Sequence, residues 1–200
     1  MHNRGAPQHI NLNIPDSTLL VILGIELSIM TAAAGMEEWK DVVVDEIAWP
    51  YEISNMGNVR RKGESILRKP KVSKKGYYTI ELYGPDTKEY RIHRLVAIMF
   101  IPNPDNKPIT DHIDNNRKNN HVSNLRWCLS AENSWNSRLY TTNTSGFKGV
   151  SFHKASGRFH ARIGVSNRTF SLGCYDTAEE AFVAYQEAAA RYHGGFARTE

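Results

Sequence analysis

The stretch "RFHARIGVS", residues 158–166, constrains the fold more than any other because polar and apolar side chains alternate along it. Successive side chains of a β-strand point to opposite faces, so its basic residues share one face and its apolar residues share the other. "FKGVSFH" before it and "TFSLG" after it have the length and residue types of partner strands, and the turns "KASG" and "SNR" separate the three. We therefore predict a three-stranded antiparallel sheet.

A helix is predicted directly after this sheet. Thr177 and Glu180 form a capping box, which marks a helix start, and Gly194 and Gly195 mark its end. Between them apolar side chains recur at helical spacing, and we predict that they form the core, at Ala178, Ala181, Phe182, Tyr185, Ala189 and Tyr192. The small alanine side chains allow the helix to lie close to the apolar face of the sheet, so the basic face of the sheet is left exposed.

Shorter elements are predicted upstream. "GYYTIELYG" and "EYRIH" predict a hairpin, "HRLVAIMF" predicts a short buried helix, and "IPNPDNKP" is irregular because prolines interrupt it. "NLRWCL" predicts a strand, and Ser130 is placed to cap a helix over "AENSWNSRL". The chain is thus predicted to be an α+β protein built from small modules. These are a mixed N-terminal module, a central strand–loop–strand–helix unit, and the C-terminal antiparallel sheet packed on one helix.

Basic residues are clustered rather than spread along the chain. Eight Lys or Arg and one acid, Glu64, lie in residues 60–75, and five basic residues and no acid lie in residues 141–174. Two separate positive surfaces indicate a polyanionic partner, for which nucleic acid is the leading candidate. The alternative is that each cluster is only a solvated face.

Two features bear on where the protein acts. The chain has two cysteines, Cys128 and Cys174, and no CxxC pair, which argues against a disulfide framework and fits an intracellular setting. The apolar run in residues 18–30 is too short to span a bilayer and contains Glu26, although with "TAAAG" after it the run faintly resembles a secretory signal. We expect residues 1–35 to be a disordered or dispensable extension, and secretion is the alternative.

Residues 111–127, "DHIDNNRKNNHVSNLRW", place a carboxylate, imidazoles and many amides in one polar segment. Hydrolysis of a phosphodiester bond needs a base that activates water and a cation that neutralises charge on the phosphate and the leaving oxygen. Histidine suits the base at neutral pH, and Mg²⁺ or Mn²⁺ prefers hard oxygen ligands such as Asp and Asn. Asp111, His112 and Asn133 supply that combination.

The remaining amides have a structural interpretation. Asn119, Asn120 and Asn124 can hydrogen-bond loop backbone that would otherwise be unsatisfied. The same composition is also typical of an asparagine-rich turn that does no chemistry, and residue types alone leave this alternative open.

The order of these segments resembles a known family. "HRLVAIMF", "NPDNKPITDHIDNNRKNN", "NLRW" and "AEN" follow one another as in the HNH homing-endonuclease family, and the resemblance covers residues 89–138. It implies a ββα-metal core that cuts DNA with one divalent metal ion, Mg²⁺ or Mn²⁺. It further implies that His112 is the general base and that Asp111 and Asn133 are the metal ligands. Asn124 would hold the loop in place.

The other histidines match no clear role in that family. His121 is interpreted as a loop residue and His93 as a structural residue, with contact to a substrate phosphate as the alternative for His93. A zinc site made of His93, His112, His121 and Cys128 is a further alternative, but these residues lack recognised zinc-ligand spacing.

The flanking segments resemble DNA-binding modules. "EEWKDV", "YEISNMGNVRR" and "GYYTIELY", within residues 37–83, resemble the modular DNA-binding motif that often precedes the HNH core in phage and intron-encoded nucleases. "GFKGVSFHKASGRFHARI" and "SLGCYDTAEEAFVAYQEAAARYHGG", within residues 145–198, resemble the Apetala-type or ethylene-response-factor DNA-binding domain, whose sheet enters the major groove. The plant domain is richer in Arg and Trp on that sheet, so its GC-rich preference does not transfer.

These resemblances imply DNA contacts from both modules. In the upstream module the candidate contacts are Arg60, Arg61, Lys62, Lys69, Lys71, Lys74 and Lys75. In the C-terminal domain they are Lys148, Ser151, His153, Arg158, Arg162, Thr169 and Ser171.

Together these features predict a three-part DNA endonuclease. The predicted boundaries are 1–35 for the extension, 36–84 for the upstream module, 89–138 for the nuclease core, 139–145 for a linker and 146–198 for the C-terminal domain. The expected partner is double-stranded DNA, nicked or cut on both strands, with no membrane association and no evident obligate protein partner. The resemblance implies action in the cytoplasm of a bacterial host cell, from a phage or mobile-element gene. The alternative is a sequence-specific DNA-binding regulator with an inert nuclease core.

Overall fold

Two small antiparallel sheets form the first part of the protein. The computed structural model describes residues 35–166 and 168–198, so the apolar run predicted within the extension lies outside the described residues. The first sheet has the order β1-β2-β3, with strands Trp39–Val44, Ile47–Ser54 and Val59–Arg61. The second has the order β4-β5-β6, with strands Lys71–Val72, Tyr78–Tyr83 and Thr87–Arg91. The predicted hairpin is β5 and β6.

Helix α1, Ile92–Phe100, joins both sheets in one hydrophobic core. Its residues Leu95 and Val96 are fully buried and pack in the same cluster as strand residues from both sheets. Those strand residues include Val42, Tyr51, Ile53, Val59, Ile80 and Leu82. The segments predicted as separate modules, 36–84 and 89–138, therefore share a core. All these elements belong to one compact unit, Glu38–Glu200.

The central unit has the predicted strand–loop–strand–helix order. Strands β7, Ile109–His112, and β8, Leu125–Cys128, form an antiparallel hairpin, and a 3₁₀ turn, Val122–Asn124, precedes β8. Helix α2 spans Ser130–Trp135, shorter than predicted.

The predicted cap of α2 by Ser130 is wrong. Ser130 is the first helical residue, and Leu129 occupies the capping position. The backbone N–H of Leu129 donates to the Glu132 carboxylate at 2.7 Å. A side chain within the first turn, rather than a serine hydroxyl at the capping position, therefore accepts a hydrogen bond from a free N–H group at the helix start.

The C-terminal sheet and helix confirm the prediction from alternation and capping. Strands β9, Val150–His153, β10, Arg158–Val165, and β11, Arg168–Tyr175, form a sheet of order β11-β10-β9. Helix α3, Ala178–His193, covers its apolar face and is followed by a 3₁₀ turn, Gly194–Phe196.

Both ends of α3 show how local sequence sets the helix. Thr177 and Glu180 form the capping box, with the Glu180 N–H donating to Thr177 Oγ1 at 3.2 Å and the Thr177 N–H donating to the Glu180 carboxylate at 3.3 Å. At the other end the prediction of Tyr192 as a core residue is wrong, because Tyr192 is 49% exposed and His193 is buried instead. Among the described residues, no helix has the length and apolar content needed to cross a membrane.

Replacing Gly149 by alanine is expected to destabilise the C-terminal module. Gly149 has φ +73°, and an added Cβ would overlap the Tyr185 ring and lie 2.8 Å from the Arg162 carbonyl oxygen. Gly146→Ala is the matched control because Gly146 has φ +80° with open space around it. We expect backbone strain alone to cost Gly146→Ala about 1–3 kcal/mol of unfolding free energy, and the overlap to add about 1–3 kcal/mol for Gly149→Ala. Urea unfolding measures both, and equal losses would contradict the close contact.

Candidate active site

Strand β7, the first turn of helix α1 and Asn133 of helix α2 line a cleft of about 470 Å³. Asp111 and His112 lie at the end of β7, each 5% exposed, and Asn133 lies on the exposed side of α2. All three line the cleft. The structure therefore brings together the three residues that the sequence singled out for base and metal chemistry.

The Asp111 carboxylate is held by two neighbours. Arg126 donates to Asp111 Oδ2 from Nε at 2.9 Å and from Nη2 at 2.9 Å. Asn136 Nδ2 donates to Oδ2 at 2.9 Å and to Oδ1 at 3.1 Å. Because Oδ1 accepts only from Asn136 among these donors, it keeps acceptor capacity towards the cleft.

Sequence reasoning missed Asn136 and Arg126. Asn136 is three residues beyond Asn133, on the same side of a helical turn, and this spacing was a signal that could have found it. Arg126 faces Asp111 in the register of the hairpin, which could not be counted across the long loop from sequence alone.

The His112 imidazole is neutral and has one free ring nitrogen. Its Nε2 lies 3.2 Å from Asn120 Oδ1. An amide oxygen only accepts, so Nε2 carries the proton and Nδ1 keeps its lone pair. Burial lowers the pKa of His112, so the neutral form is present at neutral pH.

His93 is the neighbour of His112 within the cleft wall, with ring centroids 4.7 Å apart. Burial and the adjacent His112 lower the pKa of His93 to about 3. The His93 ring is therefore neutral at neutral pH and cannot attract a phosphate by its charge.

Asn124 ties the two ends of the polar loop together. Its Nδ2 donates to Asp114 Oδ1 at 2.9 Å and to the Asn119 carbonyl oxygen at 2.9 Å, and its Oδ1 accepts from the Asp114 N–H at 3.1 Å. The His121 side chain accepts from the Ser123 N–H at 3.2 Å and so caps the 3₁₀ turn.

The donor set suits a hard divalent cation better than zinc. Asp111 and Asn133 offer a carboxylate and an amide oxygen, and Mg²⁺ is commonly bound by one or two such protein ligands together with water and substrate phosphate. Within the part of the chain that the structure describes, no three His, Cys, Asp or Glu side chains are grouped to hold a metal ion. The zinc alternative thus finds no site there, and burial raises the pKa of the Cys128 thiol to about 12.

Three exposed arginines also line the cleft, and sequence reasoning missed them as well. Arg94 donates to the Pro108 carbonyl oxygen at 2.6 Å, and Arg117 donates to the Lys75 carbonyl oxygen at 2.8 Å. Arg91 and Arg117 each lie 5.0 Å from the centre of the Tyr77 ring. These contacts hold positive charge at the rim of the cleft.

The basic run of the upstream module divides into two groups. Arg60 pairs with Glu52 at 2.8 Å, Lys62 with Asp41 at 2.6 Å, and Lys71 with Glu81 at 3.1 Å. The remaining candidates are exposed, at Arg61, Lys69, Lys74 and Lys75. Intramolecular acids therefore already neutralise part of the charge that the sequence assigned to DNA binding.

The C-terminal candidates, with one exception, lie on the exposed face of the sheet. Strand register places Arg158 opposite His153 and Arg162 opposite Ser171, and the helix-free face also carries Ser151 and Thr169. Arg158 is paired with Asp176 at 2.8 Å.

Lys148 is the exception. Its Nζ donates to the carbonyl oxygens of Trp135 and Ser137 at 2.5 and 2.8 Å, and burial lowers its pKa to about 8. It therefore connects the C-terminal module to the end of α2.

Family models match three consecutive segments of the chain. They are a NUMOD4 motif at residues 37–83, an HNH endonuclease at residues 90–135 and an AP2 domain at residues 145–195.

Several named proteins are similar to part of this chain. The uncharacterized HNH endonuclease L245 of Acanthamoeba polyphaga mimivirus is 40% identical over 84 residues, 42% of this chain and 26% of that protein. DNA endonuclease I-HmuI of Bacillus phage SP01 is 38% identical over 91 residues, 45% of this chain and 51% of that protein. Protein 3.8 of Escherichia phage T7 is 35% identical over 88 residues, 44% of this chain and 72% of that protein.

The match to I-HmuI extends to a solved structure of that HNH homing endonuclease, with 35% identity and a TM-score of 0.44 over 48% of this chain and 55% of that one. The chain spans about a quarter of L245 and about half of I-HmuI. By the family models and the matches in sequence, the chain belongs to the HNH endonucleases, and it carries a NUMOD4 motif before the HNH segment and an AP2 domain after it.

Proposed function

We propose that the protein is a metal-dependent DNA endonuclease that hydrolyses phosphodiester bonds. The observation that carries this proposal is the shared cleft of Asp111, His112 and Asn133, in which a neutral imidazole stands beside two hard oxygen donors. Arginines at the cleft rim suit a polyanionic substrate.

In this proposal His112 acts as the general base. Its Nδ1 takes a proton from water while the water oxygen bonds to phosphorus and the bond from phosphorus to the leaving sugar oxygen breaks. Asn120 accepts the Nε2–H, which leaves the lone pair of Nδ1 available to take the proton. Asp111 and Asn133 would hold one Mg²⁺ or Mn²⁺ ion, which when bound neutralises charge on the phosphate and the leaving oxygen.

Double-stranded DNA is the proposed partner, and three surfaces would contact it. The first surface is formed by the exposed lysines and arginines of the upstream module, and the second is the basic face of the AP2 sheet. The third is the rim of the cleft, which carries Arg91, Arg94 and Arg117. Binding by one module raises the effective concentration of DNA at the others, which offsets the low specificity of a small nuclease core. The phage and mimivirus relatives support a phage or mobile-element role in a host cell.

Supercoiled plasmid, incubated with the full-length protein and Mg²⁺, Mn²⁺ or EDTA, tests the proposed activity. We expect conversion to open-circular or linear DNA with metal and none with EDTA. A protein that shifts DNA on a gel but cuts neither plasmid nor phage and host DNA with metal would instead be the DNA-binding regulator with an inert core.

Removal of Arg162 is expected to weaken DNA binding without changing metal dependence. Arg162 is exposed on the basic face of the AP2 sheet, so Arg162→Ala should remove about one phosphate contact and reduce the salt slope of binding by about 1. The matched control is Arg191→Ala, because Arg191 is an exposed arginine on α3, the helix that covers the opposite face. Fluorescence anisotropy at several salt concentrations measures both, and equal slopes for the two variants would contradict a role of this face.

A further inference from the structure

Arg126 links the proposed metal ligand to the last turn of the AP2 domain. Two of its nitrogens, Nε and Nη2, donate to Asp111 Oδ2 at 2.9 Å. The third, Nη1, donates to the Gly195 carbonyl oxygen at 2.5 Å. The Phe196 ring covers the guanidinium face, with its centre 3.8 Å from the guanidinium carbon. One side chain of the nuclease core therefore has the carboxylate on one side and the C-terminal 3₁₀ turn on the other.

These contacts restrict the conformation of the Arg126 side chain. Its side chain is 19% exposed, and the cation–π contact and the carbonyl acceptor fix both the plane and the rotation of the guanidinium. A fixed, partly desolvated guanidinium in turn fixes the carboxylate that it binds, because charge-assisted hydrogen bonds strengthen as water is excluded.

Two further contacts hold the AP2 domain in this position. Trp135, the last residue of α2, stacks on His193 with ring centroids 4.2 Å apart and an angle of 11° between the planes. Lys148 of the AP2 domain donates to the carbonyl oxygens of Trp135 and Ser137 at the end of the same helix. The 3₁₀ turn Gly194–Phe196 is thus docked on the nuclease core at several points rather than resting on it by one side chain.

We propose that Arg126 is a positioning residue for Asp111, and that the AP2 domain completes the nuclease site by holding Arg126 through Gly195 and Phe196. The inference rests on the proposed function, in which Asp111 binds the divalent ion. It assigns the AP2 domain a second task besides DNA contact, because the affinity of the site for the ion depends on the docked turn. Partners that orient metal ligands typically contribute about 10–100-fold to metal affinity or activity.

The test compares Phe196→Ala with Tyr192→Ala in the full-length protein. Both remove one aromatic ring near the end of the AP2 domain, but Tyr192 is on the exposed side of α3 and contacts Arg191 rather than Arg126. Mn²⁺ is titrated into ¹⁵N-labelled protein without DNA, and paramagnetic broadening of the amide signals of residues 111–115 gives its dissociation constant. We expect that constant to rise about tenfold for Phe196→Ala and to stay unchanged for Tyr192→Ala and for the conservative variant Phe196→Tyr.

Arg126→Ala and the double variant Arg126→Ala/Phe196→Ala show whether Phe196 affects metal binding through Arg126 or only supports the fold. If Phe196 acts through Arg126, the double variant should bind Mn²⁺ no more weakly than Arg126→Ala alone. Additive losses, or an unchanged or tighter Mn²⁺ constant for Phe196→Ala, would overturn the proposal. Amide signals far from the cleft that stay at their wild-type positions show that each variant is folded, and a loss of Mn²⁺ binding that occurs only with displaced signals throughout the protein would also overturn the proposal.

Mn²⁺ binding and plasmid cleavage test the positioning role of Arg126 and the proposed nuclease activity separately. Wild-type protein that binds Mn²⁺ and shows the Phe196 effect, yet does not cut plasmid, would overturn the proposed activity and leave the positioning role standing. Wild-type protein that binds no Mn²⁺ near residue 111 would overturn the metal site and the inference together.

Discussion

Replacing His112 by alanine is expected to lower the single-turnover rate of DNA cleavage by about 10²–10⁴-fold, the usual contribution of a positioned general base. The side chain is only 5% exposed, so its removal should leave DNA affinity unchanged. The rate is measured with supercoiled plasmid under excess protein and saturating Mg²⁺, and DNA affinity is measured in EDTA. Added imidazole should restore part of the rate, because it can occupy the space of the missing ring and accept the proton.

His121→Asn is the matched control for this variant. His121 lies nine residues further along the same segment, and its ring accepts the N–H of Ser123, the second residue of the 3₁₀ turn. Asparagine is also a good residue at such a capping position, so the loop should keep its shape. Cleavage by His112→Ala within a few fold of wild type, or an equal loss in His121→Asn, would contradict the assignment of His112 as the base.

Local pattern was sufficient to predict the AP2 region. The alternation of residues 158–166 and the Thr177–Glu180 capping box depend on neighbours in sequence, and both reappear in the structure with nearly the predicted bounds. Tyr192 was misplaced because the next residue, His193, takes the buried position and stacks on Trp135 of the nuclease core. The contact that decides this lies 58 positions away in sequence, which no helical periodicity records.

The residues that could do chemistry in the candidate site were predictable from sequence, but the residues that hold them in place were not. Asp111, His112 and Asn133 could be chosen because few residue types suit a base and hard metal ligands, and they do line one cleft. Arg126 and Asn136 support Asp111 from outside that set, through a strand register and a helix end. Such partners follow from tertiary packing, and so did the core shared by the upstream sheets and α1.

Asn136→Ala is expected to reduce stability and activity together. The Asn136 amide is buried and donates to the Asp111 carboxylate and, at 2.9 Å, to the His112 carbonyl oxygen. Its loss removes the donor to Asp111 Oδ1, whereas Oδ2 keeps Arg126 and the His112 carbonyl oxygen keeps the Asn115 N–H. A buried acceptor left without its donor costs about 1–3 kcal/mol when neutral and more when charged. We therefore expect urea unfolding to show a loss of at least about 2 kcal/mol, and cleavage to fall by about 10–100-fold because Asp111 is no longer held.

Asn133→Ala, three residues earlier, should have the opposite balance of effects. Asn133 is exposed, so the variant should keep its stability, yet it removes an oxygen donor proposed for the ion. An ion that binds only the folded protein raises the unfolding free energy in proportion to the logarithm of its concentration divided by its dissociation constant. At saturating Mn²⁺ the wild type should therefore gain stability, and Asn133→Ala should gain little. If Asn133→Ala proves as unstable as Asn136→Ala in EDTA, or gains as much from Mn²⁺ as wild type, then Asn133 is a structural residue and the ion has other ligands.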